Sequence, residues 1–104
     1  MSKVSPLQRS KKQLEEAGYT VAIVEKWNPW AKVRQDLYGI IDLLCIKKGV
    51  TLGVQVTTLG HKQDHIDKME AHPNLKKLLL AGWKIELHSW RKLKDGWLAD
   101  IKEF

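Results

Sequence analysis

"DLYGIIDLLCIKKGVTLGVQVTT", residues 36–58, carries the reading of the fold. Residues 39–46 are apolar at nearly every position, as in a strand covered on both faces, and residues 51–58 alternate, with Leu52, Val54 and Val56 on one side. Lys48-Gly49 between the two runs is a turn pair, which predicts an antiparallel hairpin. A loop of two or four residues sets Asp42 directly opposite Gln55, whereas a loop of three turns them to opposite faces. Asp42 is the anomaly of the stretch. A carboxylate withdrawn from water without a partner costs several kcal/mol, so a strand that keeps one gives it a cation, a metal or hydrogen-bond donors.

Upstream, Ser5-Pro6-Leu7-Gln8 offers an N-cap, a proline at the first helical position and a glutamine at N3, and Gly18 supplies a stop. A first helix over about residues 6–17 follows, with Leu7 and Leu14 on one stripe. Residues 19–25, YTVAIVE, are β-branched and read as a strand; residues 26–35, KWNPWAKVRQ, contain Asn28-Pro29 without a period and read as a loop. Downstream, residues 61–72 place Ile66 and Met69 on one helical stripe that Pro73 ends or kinks, and residues 74–82 continue as a short helix closed by Gly82. Residues 83–90 alternate as a strand, and Lys94-Asp95-Gly96 turns into a last strand over residues 97–101. The order predicts an α/β domain, a mixed sheet of four to five strands flanked by helices. At 104 residues the chain makes one domain, residues 1–104.

Composition narrows the partners. Eighteen Lys and Arg against twelve Asp and Glu give a net charge of +6, which favours a polyanion such as nucleic acid. Lys3, Arg9, Lys11 and Lys12 crowd the amino end, and Lys26, Lys32 and Arg34 surround Trp27 and Trp30, whose rings by default pack over the end of the sheet and could instead stack on unpaired or distorted bases. The single cysteine, Cys45, excludes an internal disulfide framework and fits a reducing cytoplasm; in an apolar strand, on the face of Ile41 and Leu43, it reads as a buried structural thiol. No apolar run approaches the ~18 residues of a membrane span, and no glycine-rich phosphate loop is present. His61 and His65 have the i, i+4 spacing of a zinc pair, but the glutamate of HExxH and a fourth ligand are missing, so a basic helix face is the better reading and lone solvated histidines better still.

Asp36-Leu37-Tyr38-Gly39-Ile40-Ile41-Asp42 and Val54-Gln55-Val56-Thr57, set in this order of elements, resemble the PD-(D/E)XK nuclease superfamily, and within it the small resolvase-like proteins of phage or prophage type. The resemblance implies a restriction-endonuclease-like αβββαβ core and a DNA endonuclease that works with Mg²⁺ or Mn²⁺. It also implies a homodimer. Asp42 matches the metal-binding aspartate of the family, Gln55 stands where the second acid is expected, and Thr57 where the lysine is expected. The metal ligands implied are Asp42, Gln55 and the backbone carbonyl of Val56. Asp36 is a replacement acid, and Lys62 or Lys68 a migrated lysine from the following helix.

Each departure has a chemical cost. An amide at Gln55 removes one negative charge, and a hydroxyl at Thr57 cannot stabilise a developing oxyanion as an ammonium does. Read without the resemblance, Asp42 is a structural acid paired with Arg34 or a backbone amide, Gln55 and Thr57 are polar residues on the solvent side of a strand, and Asp36 caps a turn. Two functions therefore stand: a metal-dependent endonuclease with catalytic Asp42, Gln55, Thr57, Asp36, Lys62 and Lys68, or an inactive module binding nucleic acid or a protein partner. A nucleic-acid partner would be touched through Lys26, Trp27, Trp30, Lys32, Arg34, Arg9 and Lys12.

Overall fold

The computed structural model describes residues 4–104, so Lys3 of the amino-terminal basic cluster lies outside the described residues. Helix α1, Pro6–Glu16, begins where the sequence predicts: the Ser5 side chain accepts a hydrogen bond from the Gln8 amide at 3.2 Å, and Gly18 takes φ +97° just past the end. Strand β1, Thr20–Ile23, follows, and then a two-stranded hairpin of β2, Lys26–Asn28, and β3, Val33–Gln35. The segment predicted as loop is thus an antiparallel arm. Asn28 makes it possible, because its Oδ1 accepts the backbone N–H groups of Trp30 (3.0 Å) and Ala31 (3.1 Å) and so turns the chain.

Strand β4 is Leu43–Lys47 and β5 is Val50–Thr58; after a 3-10 turn, Leu59–His61, come α2, Lys62–Ala71, and α3, Pro73–Leu80. Pro73 opens α3 at its first turn, with His72 Nδ1 accepting the Asn74 amide at 3.1 Å, so the proline separates two helices. Strands β6, Lys84–Leu93, and β7, Gly96–Glu103, complete a five-stranded mixed sheet of order β1-β4-β5-β6-β7. Only the β5 to β6 pairing is parallel, and α2 and α3 form its crossover. No helix among the described residues is long and apolar enough to cross a membrane.

Two apolar layers sandwich the sheet. On one side α1 brings Leu14 against Leu43, Cys45, Leu52 and Val54; on the other, α2 and α3 bring Ile66, Met69, Leu75 and Leu78 against Ile40, Ile41, Ile85 and Leu87. The apolar run of residues 39–46 is accordingly not one strand. Tyr38 and Gly39 have φ of +55° and +82°, and a turn closed by Ile40 N–H to Leu37 O (3.2 Å) tucks Ile40 and Ile41 into the α2–α3 layer. The strand proper begins at Leu43, and Cys45 shares its layer with Leu43 and not with Ile41. Burial pushes the Cys45 thiol up to about 12, with Glu86 adding to it. We expect a thiol reagent at about pH 8 to label Cys45 only after denaturant is added.

Gly53 shows how closely the second layer approaches β5. A Cβ there would lie 2.6 Å from Ile41 Cδ1 and 3.1 Å from Ile85 Cδ1, with both isoleucines buried. Gly53→Ala is expected to lower stability by about 1–3 kcal/mol, read from the urea midpoint, because the isoleucines have little room to yield.

The α1 layer also holds a polar chain. Trp90 Nε1 donates to Ser10 Oγ at 2.8 Å, Ser10 Oγ lies 3.0 Å from His88 Nδ1, and His88 Nε2 lies 3.0 Å from Glu86 Oε1. In a neutral ring the hydroxyl donates to Nδ1, and the proton on Nε2 then points at the Glu86 carboxylate. Ser10 and His88 are wholly buried, so the centre of the chain is closed and it locks α1 to β6, while its ends at Trp90 and Glu86 border surface grooves.

Candidate acidic site

The register of the β4–β5 hairpin settles the position of Asp42. Leu43 pairs with Val54 and Lys47 with Val50 across a two-residue turn at Lys48-Gly49; Asp42 lies just past the last paired rung, its backbone N–H donating to Val54 O at 2.9 Å, and meets Gln55 through its side chain and not as a paired cross-strand position. Asp42 is the residue at which the chain passes from one apolar layer to the other, and its side chain is 3 % exposed. One carboxylate oxygen, Oδ2, accepts both the Val56 backbone N–H and the Gln55 Nε2 amide, each at 2.9 Å. Gln55 is therefore a donor that fixes the aspartate, a role a carboxylate at that position cannot play while ionised.

Gln55 and Thr57 are 8 % and 9 % exposed, so neither stands on a solvent-facing side. Both faces of β5 are covered, the apolar one by α1 and the polar one by α2 and the loop before β4, and the alternation marks two interior layers. Arg34 does not reach Asp42. Its guanidinium pairs with Glu25 Oε1 at 2.8 Å.

Glu25 is the residue that sequence reasoning missed. Carboxylate oxygens of Glu25, Asp36 and Asp42 all lie within 4.8 Å of one another, a group that can hold a metal ion. The arm explains how residues 25 and 36 come together: Lys26–Gln35 is its last paired rung, and Glu25 and Asp36 are the residues next to it, at the root. The usable signal was ten residues without an acid, 26–35, bounded by an acid at each end.

Electrostatics follow from this crowding. Burial pushes the Asp42 carboxyl up to about 9; a hydrogen bond with the Asp36 carboxyl and the charges of Asp36 and Glu25 add to the rise, and the Val56 amide opposes it. A proton therefore stays in the Asp42–Asp36 contact at neutral pH unless a cation replaces it. Three hard oxygen donors within 4.8 Å of one another suit a small divalent cation.

Two clefts flank the cluster. One, of about 530 Å³, is lined by Asp36, Gln55, His65, Lys68 and His72; the other, of about 540 Å³, by Glu25, Arg34, Asp42, Thr57 and His61. Lys68 thus faces the site from α2, while Lys62 lines neither cleft. His61 and His65 line different clefts, and His72 is occupied in capping α3, so no histidine pair forms for a zinc ion. Arg9 lies over the Trp97 ring at 4.5 Å and borders a separate groove with Lys12, away from the acids.

Gly39 shapes the wall between turn and cleft. A Cβ there would sit 2.5 Å from His72 Nε2, on a backbone already at φ +82°. Gly39→Ala is expected to cost about 1–3 kcal/mol and to displace the His72 ring, which the histidine Cε1 proton signal would report. Among known proteins, no family model and no curated protein matches the chain.

Proposed function

We propose that the protein is a metal-dependent DNA endonuclease of the PD-(D/E)XK type, with Glu25, Asp36 and Asp42 as the cation-binding group. The observation that carries the reading is the meeting of three carboxylates at the start of the second core strand, beside the Gln55-Val56-Thr57 segment of the third. The succession of α1, β1, β4, β5, the α2–α3 crossover and β6 supports it, with the arm as an insertion between the first two core strands.

When bound, Mg²⁺ or Mn²⁺ supplies charge stabilisation to a phosphodiester oxygen and makes water more acidic. The protein's own groups do the rest. The Val56 amide and the Gln55 side chain hold Asp42 Oδ2 in place and leave its other oxygen for the cation. Lys68 approaches from across the cleft, where its ammonium can pair with a phosphate oxygen, and so takes the place of the lysine missing at Thr57.

A second reading draws on a specific observation. Arg34 on Glu25 and the Gln55 amide on Asp42 satisfy two of the acids internally, as a module that binds without cutting would do. Labelled branched, duplex and single-stranded DNA incubated with Mg²⁺, Mn²⁺ or chelator separates the two. Cleavage that requires metal, falls at least about 100-fold in Asp42→Asn and falls about tenfold or more in Lys68→Ala is expected. Intact DNA under every condition, with binding unchanged in chelator, would make the protein a binding module.

A further inference from the structure

We infer that the β2–β3 arm is a platform for unpaired nucleotides, so that the nucleic acid engaged at the acidic site is single-stranded over the segment that meets the arm. The inference rests on the nucleic-acid reading above and names the form of the substrate.

The arm is unusual in what it exposes. Trp30 is 95 % exposed and Trp27 59 % exposed on a hairpin of ten residues, 26–35, that contains no acid. An indole left in water forgoes the burial of roughly 150–250 Å² of apolar surface, so two of them on one short arm ask for a ligand. The same hairpin carries Lys26, Lys32 and Arg34, and the two lysines make no ion pair among the described residues. Apolar rings interleaved with cations match a chain of bases joined by phosphates. An acidic protein would be met by the charge alone, and an anionic bilayer by both charge and indoles, so vesicle binding is an outcome of the test below.

Rigidity supports the assignment. The Asn28 side chain ties down the backbone N–H groups of Trp30 and Ala31, and Arg34, opposite Trp27 across the hairpin, is bonded to Glu25 at the root. The rings are therefore presented on a preset frame, which lowers the entropy lost on binding. Selectivity for unpaired bases follows from chemistry. In a duplex the base faces are already stacked on one another, and an indole gains contact only by first unstacking them. The root also fixes direction: Glu25 and Asp36 close the arm, so a strand lying along Trp30 and Trp27 runs toward the acidic cluster.

The test is binding in chelator, where no cutting occurs. Fluorescence anisotropy of a labelled oligothymidine of about 20 nucleotides is compared with that of a duplex of equal length, for the wild type, Trp30→Ala, Trp30→Phe and Lys32→Ala. The wild type should prefer the single strand. Trp30→Ala should weaken that binding about 5- to 150-fold, Trp30→Phe much less, and duplex binding should not move with either. Lys32→Ala should weaken both forms alike and reduce the salt dependence by about one phosphate contact. Equal affinity for the two forms, or a Trp30→Ala protein that binds oligothymidine like the wild type, would overturn the inference, as would a tryptophan blue shift on anionic vesicles with none on the oligonucleotide. Loss of single-strand preference with metal-dependent cutting retained would remove the arm's role and leave the nuclease reading. Single-strand binding through Trp30 without any cutting would do the reverse.

Discussion

In chelator, the melting temperature of the wild-type protein should fall as pH rises from about 5 to 8, and the fall should be largely absent in Asp42→Asn. The Asp42 carboxyl, held near its ordinary 3.8 in the unfolded chain, is raised to about 9 in the fold, first by burial and then by Asp36. Below about pH 4 both states keep the proton, and the fold has its full stability. As pH climbs through the window between those values, the unfolded chain releases a proton that the folded one retains, and stability is lost until about pH 9. One proton sets an upper slope of about 1.4 kcal/mol per pH unit, or roughly 4–8 °C per unit for a domain of this size. A divalent cation reverses the sign of the requirement, because it favours the ionised form. Adding Mg²⁺ near pH 8 should raise the wild-type melting temperature by several degrees, raise it less near pH 5, and leave Asp42→Asn almost unmoved. Parallel curves for the two proteins would show that the three acids are not coupled as their distances imply.

The largest loss of stability is expected from a residue far from the acids. Ser10→Ala removes the hydroxyl that accepts from Trp90 Nε1 and faces His88 Nδ1, and it leaves both groups buried without a partner. Each stranded group costs about 1–3 kcal/mol, so a loss of about 3 kcal/mol and a drop of about 10–20 °C should be seen by calorimetry. Adding Trp90→Phe should recover part of it, since the second change removes the stranded donor. A double-mutant cycle with no coupling would mean that the hydroxyl serves packing alone.

That contrast shows what the sequence can and cannot convey. Ser5, Pro6 and Gly18 announce their helix because caps are local chemistry, and Lys48-Gly49 fixes the β4–β5 register as far as the Leu43–Val54 rung, beside which the Asp42 and Gln55 side chains meet, because a turn of known length leaves little freedom. The Ser10–His88 contact spans 78 residues and has no periodic signature. Glu25 was hidden for a related reason. The hairpin that brings it to Asp36 is held by one asparagine side chain and a proline turn, not by alternating apolar residues, so the segment looked formless. The run at residues 39–46 misled in the opposite direction: continuous hydrophobicity arose because consecutive residues serve two different cores, with Asp42 at the crossing.

The single rung at which the arm enters and leaves the sheet also bears on how such a protein can diversify. Glu25 and Asp36 are placed next to that rung, and Glu25 is also held by Arg34, so the turn beyond Asn28 and Val33 can lengthen, shorten or change its aromatic residue while the contacts at the root stay in place. On the proposed reading, recognition by the arm and chemistry at the acids would be separable within 104 residues, and a graft of a different hairpin that keeps Arg34 would be a route to retargeting the site.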